Sequence, residues 1–438
     1  MCDGYMYPHR PQTSLSPRQL IPVALLVIAA MLSAVAWARE DAAASRGETP
    51  PIALSADQVR AISVLVGERP RHPAPLFLFT DPNKDPDDLS VLVLTSVLQG
   101  QGFVDLRAVL TTLGDRQTRT RRARFAKDVL EDLGLQDVQV GVGVDYRFEV
   151  KDANGRVDLK ATEGRRKDHQ VFIDSPLGQP HGAVSADGLA LLEAELARVS
   201  DHSAVLLVDA GMSDLAALLR DAPELVRKKT AKAVIMGGVE PQVDARGFVS
   251  ADARAYNNTT DQPAADYAYA RLQELGVPLV VVTKEAAYTA AASRGFYEGM
   301  AATGNPIGVY LRDQQKASLE KLWTGIHQGH LPPALTPAWF FETFTDVDVE
   351  SPAGKAALGS AETNTGDFES VWQQVSKFNL YDPLALLAAT PGVGERLFSA
   401  NTLAGARGDV QVIDEGSIKD PSAIRNLLSG MAIEALSR

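Results

Sequence analysis

The chain predicts a single α/β domain built on a mostly parallel sheet flanked by helices, and three observations carry that prediction. Short unbroken apolar runs recur between residues 76 and 283, longer amphipathic runs separate them, and 45% apolar against 22% charged residues over 438 positions suffices for one large core. Strands covered on both faces read as continuous apolar runs, whereas half-exposed strands alternate. The same composition excludes intrinsic disorder, a collagen-like repeat and a multi-spanning membrane protein. No fixed-period repeat is visible.

From the N-terminus, Arg10 and Arg18 precede an apolar run at 20–35, and Ala36-Trp37-Ala38 places small residues where a signal peptidase reads. Residues 1–38 therefore read as a secretory signal peptide cut before Arg39. An uncleaved membrane anchor is the alternative, because the run approaches the ~18 apolar residues that a spanning helix needs. Either way the folded part is exported, secreted or periplasmic, and cleavage leaves it without a membrane partner. Cleavage also removes the one cysteine, Cys2, so neither a disulfide nor a thiolate metal cluster is expected. The net charge of -12 becomes -13 once Asp3, Arg10 and Arg18 are removed, so the acidic character belongs to the folded part and argues against nucleic acid as a partner.

Residues 39–75 read as a linker with one loosely docked helix, Ala56–Val66. The domain then runs over 76–438. Its candidate strands are LFLF at 76–79, DLRAVLT at 105–111, VQVGVG at 138–143, SAVLLV at 203–208, AKAVIMGG at 231–238 and PLVVVT at 278–283. Helical periodicity fills 88–98, 120–133, 187–199, 213–219 and 264–275. Two inserts interrupt the alternation. The first, 147–180, carries the hairpin signal Asn154-Gly155. The second, 325–370, holds His327, His330 and the cluster Trp339-Phe340-Phe341, which either packs in the core or stacks on a base. In an open parallel sheet ligands bind beyond the carboxyl ends of the strands, so chemistry is sought where each strand stops.

The first strand stops in Thr80-Asp81-Pro82-Asn83-Lys84-Asp85-Pro86-Asp87-Asp88. Four carboxylates within eight positions repel one another unless a cation or hydrogen-bond donors gather there, and all-oxygen ligands favour Ca²⁺ or Mg²⁺. Helix capping by Asp87 and Asp88 accounts for two of the acids only. An EF-hand-like loop fails, because Pro86 and Leu92 stand where it needs Gly and Glu.

At these residues the sequence resembles the calcium-dependent nucleoside hydrolases of the inosine/uridine-preferring type, whose first strand ends in Asp-x-Asp-Pro-Gly-x-Asp-Asp. Matching that motif needs a two-residue insertion within 83–86 and puts Phe79 where the family has its first Asp. The resemblance continues through Thr111-Thr112-Leu113-Gly114-Asp115, His181-Gly182, the turn at 208–216, Ile235-Met236-Gly237-Gly238, Tyr256-Asn257 and Tyr381-Asp382-Pro383-Leu384-Ala385. It departs from the family pattern at Asp115 (for Asn), Ala255 (for Glu) and Tyr381 (for His).

The resemblance implies an exported N-ribohydrolase that cleaves nucleosides to base and ribose. It implies Ca²⁺ held by Asp81, Asp88, Asp382 and the main-chain carbonyl of Ala210, with Asp81 taking the proton of an attacking water. Asp87, Asp115, His181 and Asn257 would bind substrate, and Tyr381 would face the leaving base. It also allows a homo-oligomer. The alternative is a non-catalytic, calcium-stabilised carbohydrate or nucleoside binding protein of the same fold, motivated by the replacements at Phe79, Asp115, Ala255 and Tyr381; a hydrolase acting on a larger saccharide is a third reading, favoured by the two inserts.

Overall fold

The apolar run at the start of the domain forms β1, Ala74–Thr80, and its period of two splits the core. Leu76 and Leu78 point to one face of the sheet, Phe77 and Phe79 to the other, all fully buried or nearly so. In this computed structural model residues 52–146, 148–151, 154–177, 182–363 and 368–438 are described. The signal-peptide reading of 1–38 and the substrate role of His181 fall outside them.

β1 is followed by β2 (Val104–Thr111), β3 (Gln139–Val142), β4 (Ala204–Val208), β5 (Thr230–Gly237), β6 (Leu279–Thr283) and β7 (Val410–Ile413). All neighbours pair in parallel, in the order β3-β2-β1-β4-β5-β6-β7. The six expected strands are present. β7 was not expected. The strand order reverses between β1 and β4, and this switch point is where an open α/β sheet leaves a crevice at its carboxyl edge.

The helices used below are α1 (Ala56–Val66), α2 (Pro86–Gly100), α3 (Arg116–Asp132), α4 (Leu159–His169), α5 (Gly188–Arg198), α6 (Ser213–Asp221), α7 (Tyr256–Thr260), α8 (Gln262–Glu274), α9 (Pro306–His327), α10 (Pro337–Phe344), α11 (Tyr381–Ala389) and α12 (Pro421–Leu436). Buried residues of α2, α3, α11 and α12 share the Leu76/Leu78 face, and those of α5, α6 and α8 the Phe77/Phe79 face. Among the described residues no helix is long and apolar enough to cross a membrane.

Helix α1 has the expected bounds, but it is not a loose linker helix. A Ser55/Gln58 capping box starts it, Ile62 and Leu65 enter the main core, and Gln58 Nε2 donates to Ser429 Oγ of α12 at 2.9 Å. The folded unit accordingly begins at Leu54. In the first insert an antiparallel bridge, Lys151 to Val157, brackets Asn154-Gly155, and α4 follows. In the second, Phe340 and Phe341 are core residues on α10, while Trp339 is half-buried.

Candidate active site

The carboxyl ends of β1 and β4, the first turns of α2 and α11, and residues of both inserts enclose a cavity of about 880 Å³. Pro86 opens α2 at its first position, where the missing N–H costs nothing, and Asp87 and Asp88 follow in the first turn. Asp88 does not cap the helix. Its Oδ1 accepts from the main-chain N–H of Asp81 at 2.8 Å and from the Thr80 hydroxyl, tying the helix to the end of β1. On β4 the chain leaves the sheet at Asp209, whose N–H donates to Phe79 O at 2.9 Å. Asp382 lies in the first turn of α11, beside Tyr381, and both line the cavity.

Asn83 shapes the loop between β1 and α2. It stands where the resembling motif has Gly and adopts φ +75°, a left-handed conformation that Asn tolerates better than other side-chain-bearing residues. Its side chain donates to Ile173 O at 2.6 Å and accepts from the Tyr310 hydroxyl and from Gln314 Nε2. The acidic loop is thereby fastened to the first insert and to α9.

A second set of charges lies beside the acids, and of it Lys84 and Asp168 reach the cavity lining. From α3, Arg122 donates to the carbonyls of Thr112 (3.0 Å), Leu113 (2.6 Å) and Val171 (3.0 Å), and its guanidinium lies 3.8 Å from Asp81. Arg119 donates to Gly114 O (2.5 Å) and Gly143 O (3.1 Å) and pairs with Asp145. These two arginines hold a turn in which Leu113 and Gly114 both have positive φ, +64° and +87°. From α4, Asp168 accepts from the Tyr256 hydroxyl and pairs with Arg165 at 3.5 Å. Lys84 lies over the Tyr256 ring, 4.3 Å from its centroid.

Electrostatics separates the two sets. Burial, reinforced by neighbouring acids, pushes Asp87, Asp88, Asp209 and Asp382 well above the ordinary carboxylate range. Asp382 is raised by Asp87, Asp88 and Asp209, which brings the C-terminal acid into the field of the strand-end group. Asp81 is raised by burial and held back by Arg122 and Lys84, and it reaches about 7. Asp168 goes the other way: burial opposes its ionisation, but Lys84, Arg165 and the Tyr256 hydroxyl together outweigh it.

The donor set fits a hard divalent cation. Asp85, Asp87 and Asp88 bring carboxylate oxygens within 4.8 Å of one another, and both side-chain oxygens of Asp209 are buried without a hydrogen-bond partner. Uncompensated buried carboxylates of this kind need a cation or protons. The grouping differs from the expected ligand set. Asp85, which had no expected role, stands at the N-cap of α2, where it makes no capping bond, so the two-residue insertion has brought a further acid to the cluster.

Of the expected site residues, Asp81, Asp87, Asp88, Asn257, Tyr381 and Asp382 line one cavity, and the main chain of Ala210 follows directly on Asp209. Asn257 donates its amide to Asp209 O (3.0 Å) and Met236 O (3.1 Å), which leaves its carbonyl oxygen for a ligand. Tyr381 packs edge-on to Tyr288, and burial beside that ring raises its hydroxyl well above the ordinary value, so it stays protonated across the physiological pH range. Asp115 is the exception. It is exposed, absent from the cavity lining, and caps α3 by accepting from Thr118 N–H at 2.7 Å. The Asp209 side chain, Lys84, Asp168, Tyr256 and Arg122 had no expected role.

A model of the inosine-uridine preferring nucleoside hydrolase family matches residues 76–423. Among solved structures the type III effector protein XopQ, complexed with adenosine diphosphate ribose, is 40% identical, covers 87% of this chain and 99% of its own, and superposes with a TM-score of 0.75. The effector protein XOO4466 is 39% identical over 88% of this chain and 100% of its own, with a TM-score of 0.73. A purine-preferring ribonucleoside hydrolase from Gardnerella vaginalis shares the fold at 16% identity, covering 83% of this chain and 99% of its own, with a TM-score of 0.50. None of the curated proteins compared with the chain matches it.

Proposed function

Because the chain belongs to the inosine-uridine preferring nucleoside hydrolase family, we propose that it is an exported N-ribohydrolase that cleaves nucleosides to free base and ribose. The observation that carries this reading is the convergence of Asp81, Asp87, Asp88 and Asp382 on one cavity at the switch point of the sheet. Asp81, Asp88, Asp382 and the Ala210 carbonyl would hold Ca²⁺. When bound, that ion supplies a positive centre for a water and for the vicinal hydroxyls of a ribose.

The chain's own groups account for the rest. Asp81, its charge balanced by Arg122 and Lys84, takes a proton from the attacking water. The water oxygen bonds to C1′, the C1′–N bond breaks, and the base leaves with that electron pair. Asp87 accepts from the 2′-hydroxyl, the Asn257 carbonyl oxygen receives a second sugar hydroxyl, and the Tyr381 hydroxyl donates toward the departing base. The surrounding carboxylates stabilise the positive charge that grows on the ribose ring.

A second reading, a binding protein of the same fold without turnover, is favoured by the identity to two effector proteins and by the replacements at Phe79, Ala255 and Tyr381. Its ligand class would include pyrophosphate-linked ribosides such as the adenosine diphosphate ribose held by XopQ, and Lys84, Lys167, Arg254, Lys284 and Lys321 line the same cavity.

One experiment separates the readings. Ribose release is measured from a panel of purine and pyrimidine nucleosides, with Ca²⁺ and with a chelator, beside calorimetry with the same nucleosides and adenosine diphosphate ribose. Chelator-sensitive release supports the hydrolase. Binding without release from any member of the panel overturns it in favour of the binder.

A further inference from the structure

The family resemblance assigns three carboxylates and one carbonyl to the cation and leaves one buried acid of the cavity lining unexplained. Asp209 is 2% exposed, lines the cavity, and presents two carboxylate oxygens without a partner. Its main chain is fixed from both sides: N–H to Phe79 O at 2.9 Å, and C=O from Asn257 Nδ2 at 3.0 Å. Both hydrogen bonds are made by the main chain, and neither satisfies the carboxylate. The charges that act on it are Asp88 and Asp81, and it acts in turn on Asp382.

The position has a structural logic. β1 and β4 are parallel neighbours in which Phe79 pairs with Val208, so Asp209 is the first residue beyond β4 at the level where β1 ends. Phe79, where the resembling motif carries an acid, is instead an apolar side chain buried among Phe77, Leu206 and Val208. An acid absent from the end of one strand is present at the end of its neighbour.

Resting on the proposed calcium site, we propose that the Asp209 side chain is a further carboxylate ligand of the divalent cation, beyond those that the resemblance assigns, at a strand end next to one that carries Phe79 in place of an acid. An ion that accepts up to about eight oxygens at flexible geometry has room for this ligand together with the ribose hydroxyls and a water, whereas an octahedral ion does not. The added ligand therefore also ties the chain to Ca²⁺ over Mg²⁺.

The test titrates the full chain, stripped with a chelator, with Ca²⁺ by calorimetry and with Tb³⁺ by luminescence, comparing wild type with Asp209→Asn. The expected result is Ca²⁺ affinity roughly tenfold or more weaker in the variant, a smaller calcium-induced rise in thermal midpoint, and a metal-free midpoint no lower than wild type, because a buried, unpartnered carboxyl group facing other acids has been removed. Asp132→Asn, exposed at the C-terminal end of α3 and absent from the cavity lining, serves as the control and keeps wild-type affinity. Asp209→Asn binding Ca²⁺ within about twofold of wild type overturns the inference while leaving the family site intact. A wild-type chain that binds no Ca²⁺ overturns both, and the two failures are distinguishable. Should Asp209→Asn not fold, Asp209→Glu keeps the charge on a longer arm and must change the ratio of Ca²⁺ to Mg²⁺ affinity; an unchanged ratio overturns the inference.

Discussion

At the ends of β1 and β4 the carboxylates of Asp88 and Asp209 are buried with other acids as their charged neighbours, whereas Arg119 and Arg122 on α3, equally buried, spend their donors on main-chain carbonyls. In one region the buried charges meet carbonyls and carboxylates of the chain, Arg122 Nε alone of the two guanidinium groups' atoms being buried without a partner; in the other, acids face acids. The difference separates what the fold needs to stand from what the site needs to work. Buried charges that serve stability are paired within the chain, and buried charges that await a cation are left facing one another. Asp81 lies at the junction, between the acid floor and the Arg122 guanidinium 3.8 Å away.

Breaking the arginine region has the largest expected effect. Arg122→Ala leaves the carbonyls of Thr112, Leu113 and Val171 without their donor and releases the positive-φ turn at Leu113. Removal of one partner from such a buried network costs about 3–5 kcal/mol. Urea unfolding of the metal-free chain measures it, and the sign is opposite to that expected for Asp209→Asn. A loss below about 1 kcal/mol would place Arg122 outside the brace and make its pairing with Asp81 its main role.

The comparison sharpens with pH, because the two regions respond in opposite directions. In the metal-free chain Asp81 has its pKa raised to about 7, so the folded state holds its proton more tightly than the unfolded state, and its contribution is lost as pH rises through neutrality. On the wall, burial and then Arg165 push the His169 imidazole down to about 3 from its ordinary 6.5, and its Nδ1 lies 2.9 Å from the Tyr146 hydroxyl. Between those pH values the unfolded chain binds the proton and the folded chain does not. Stability from His169 is therefore full above pH 6.5 and declines as pH falls, by at most about 1.4 kcal/mol per unit. His169→Gln removes that slope. The check is the wild-type minus variant difference in unfolding free energy at pH 7 and pH 5, which cancels the acid floor; an equal difference at both values would refute the assignment.

The legible parts of the molecule were those with a local signal. Six strands read as buried apolar runs, and α1 was bounded to the residue as one short amphipathic stretch. Asp81, Asp87 and Asp88 stood out because four acids within eight positions are costly without a purpose, and Asp382 through the resemblance of Tyr381-Asp382-Pro383-Leu384-Ala385 to the family motif. What escaped depends on contacts between distant segments. Tyr256 meets Asp168 across 88 residues of sequence, and Asn83 meets Tyr310 across 227. Arg119 and Arg122 sit in the run RQTRTRRAR, whose composition suits a solvated helix face, yet both are buried. β7 is four residues long and has β6 as its one neighbouring strand at the sheet edge, with an isolated antiparallel bridge to Asn401 on its other side. Asp209 was visible only as part of a turn; its role emerges from the switch in strand order, which no local pattern encodes.

Asp115 is where motif and structure disagree, and it offers the smallest and most discriminating test. The motif sets it among sugar ligands, but its carboxylate is exposed and accepts from Thr118 N–H at 2.7 Å, which lowers its pKa and starts α3. Asp115→Ala removes an N-cap and is expected to cost about 1 kcal/mol, while Asp115→Asn retains the acceptor and costs little. Neither changes kcat/KM for ribose release by more than about twofold, because the helix that carries Arg119 and Arg122 is fixed from several sides. A tenfold or greater fall in kcat/KM with stability preserved would return Asp115 to the acid floor, and would mean that the turn at Leu113-Gly114 swings toward the cavity once a ligand is bound.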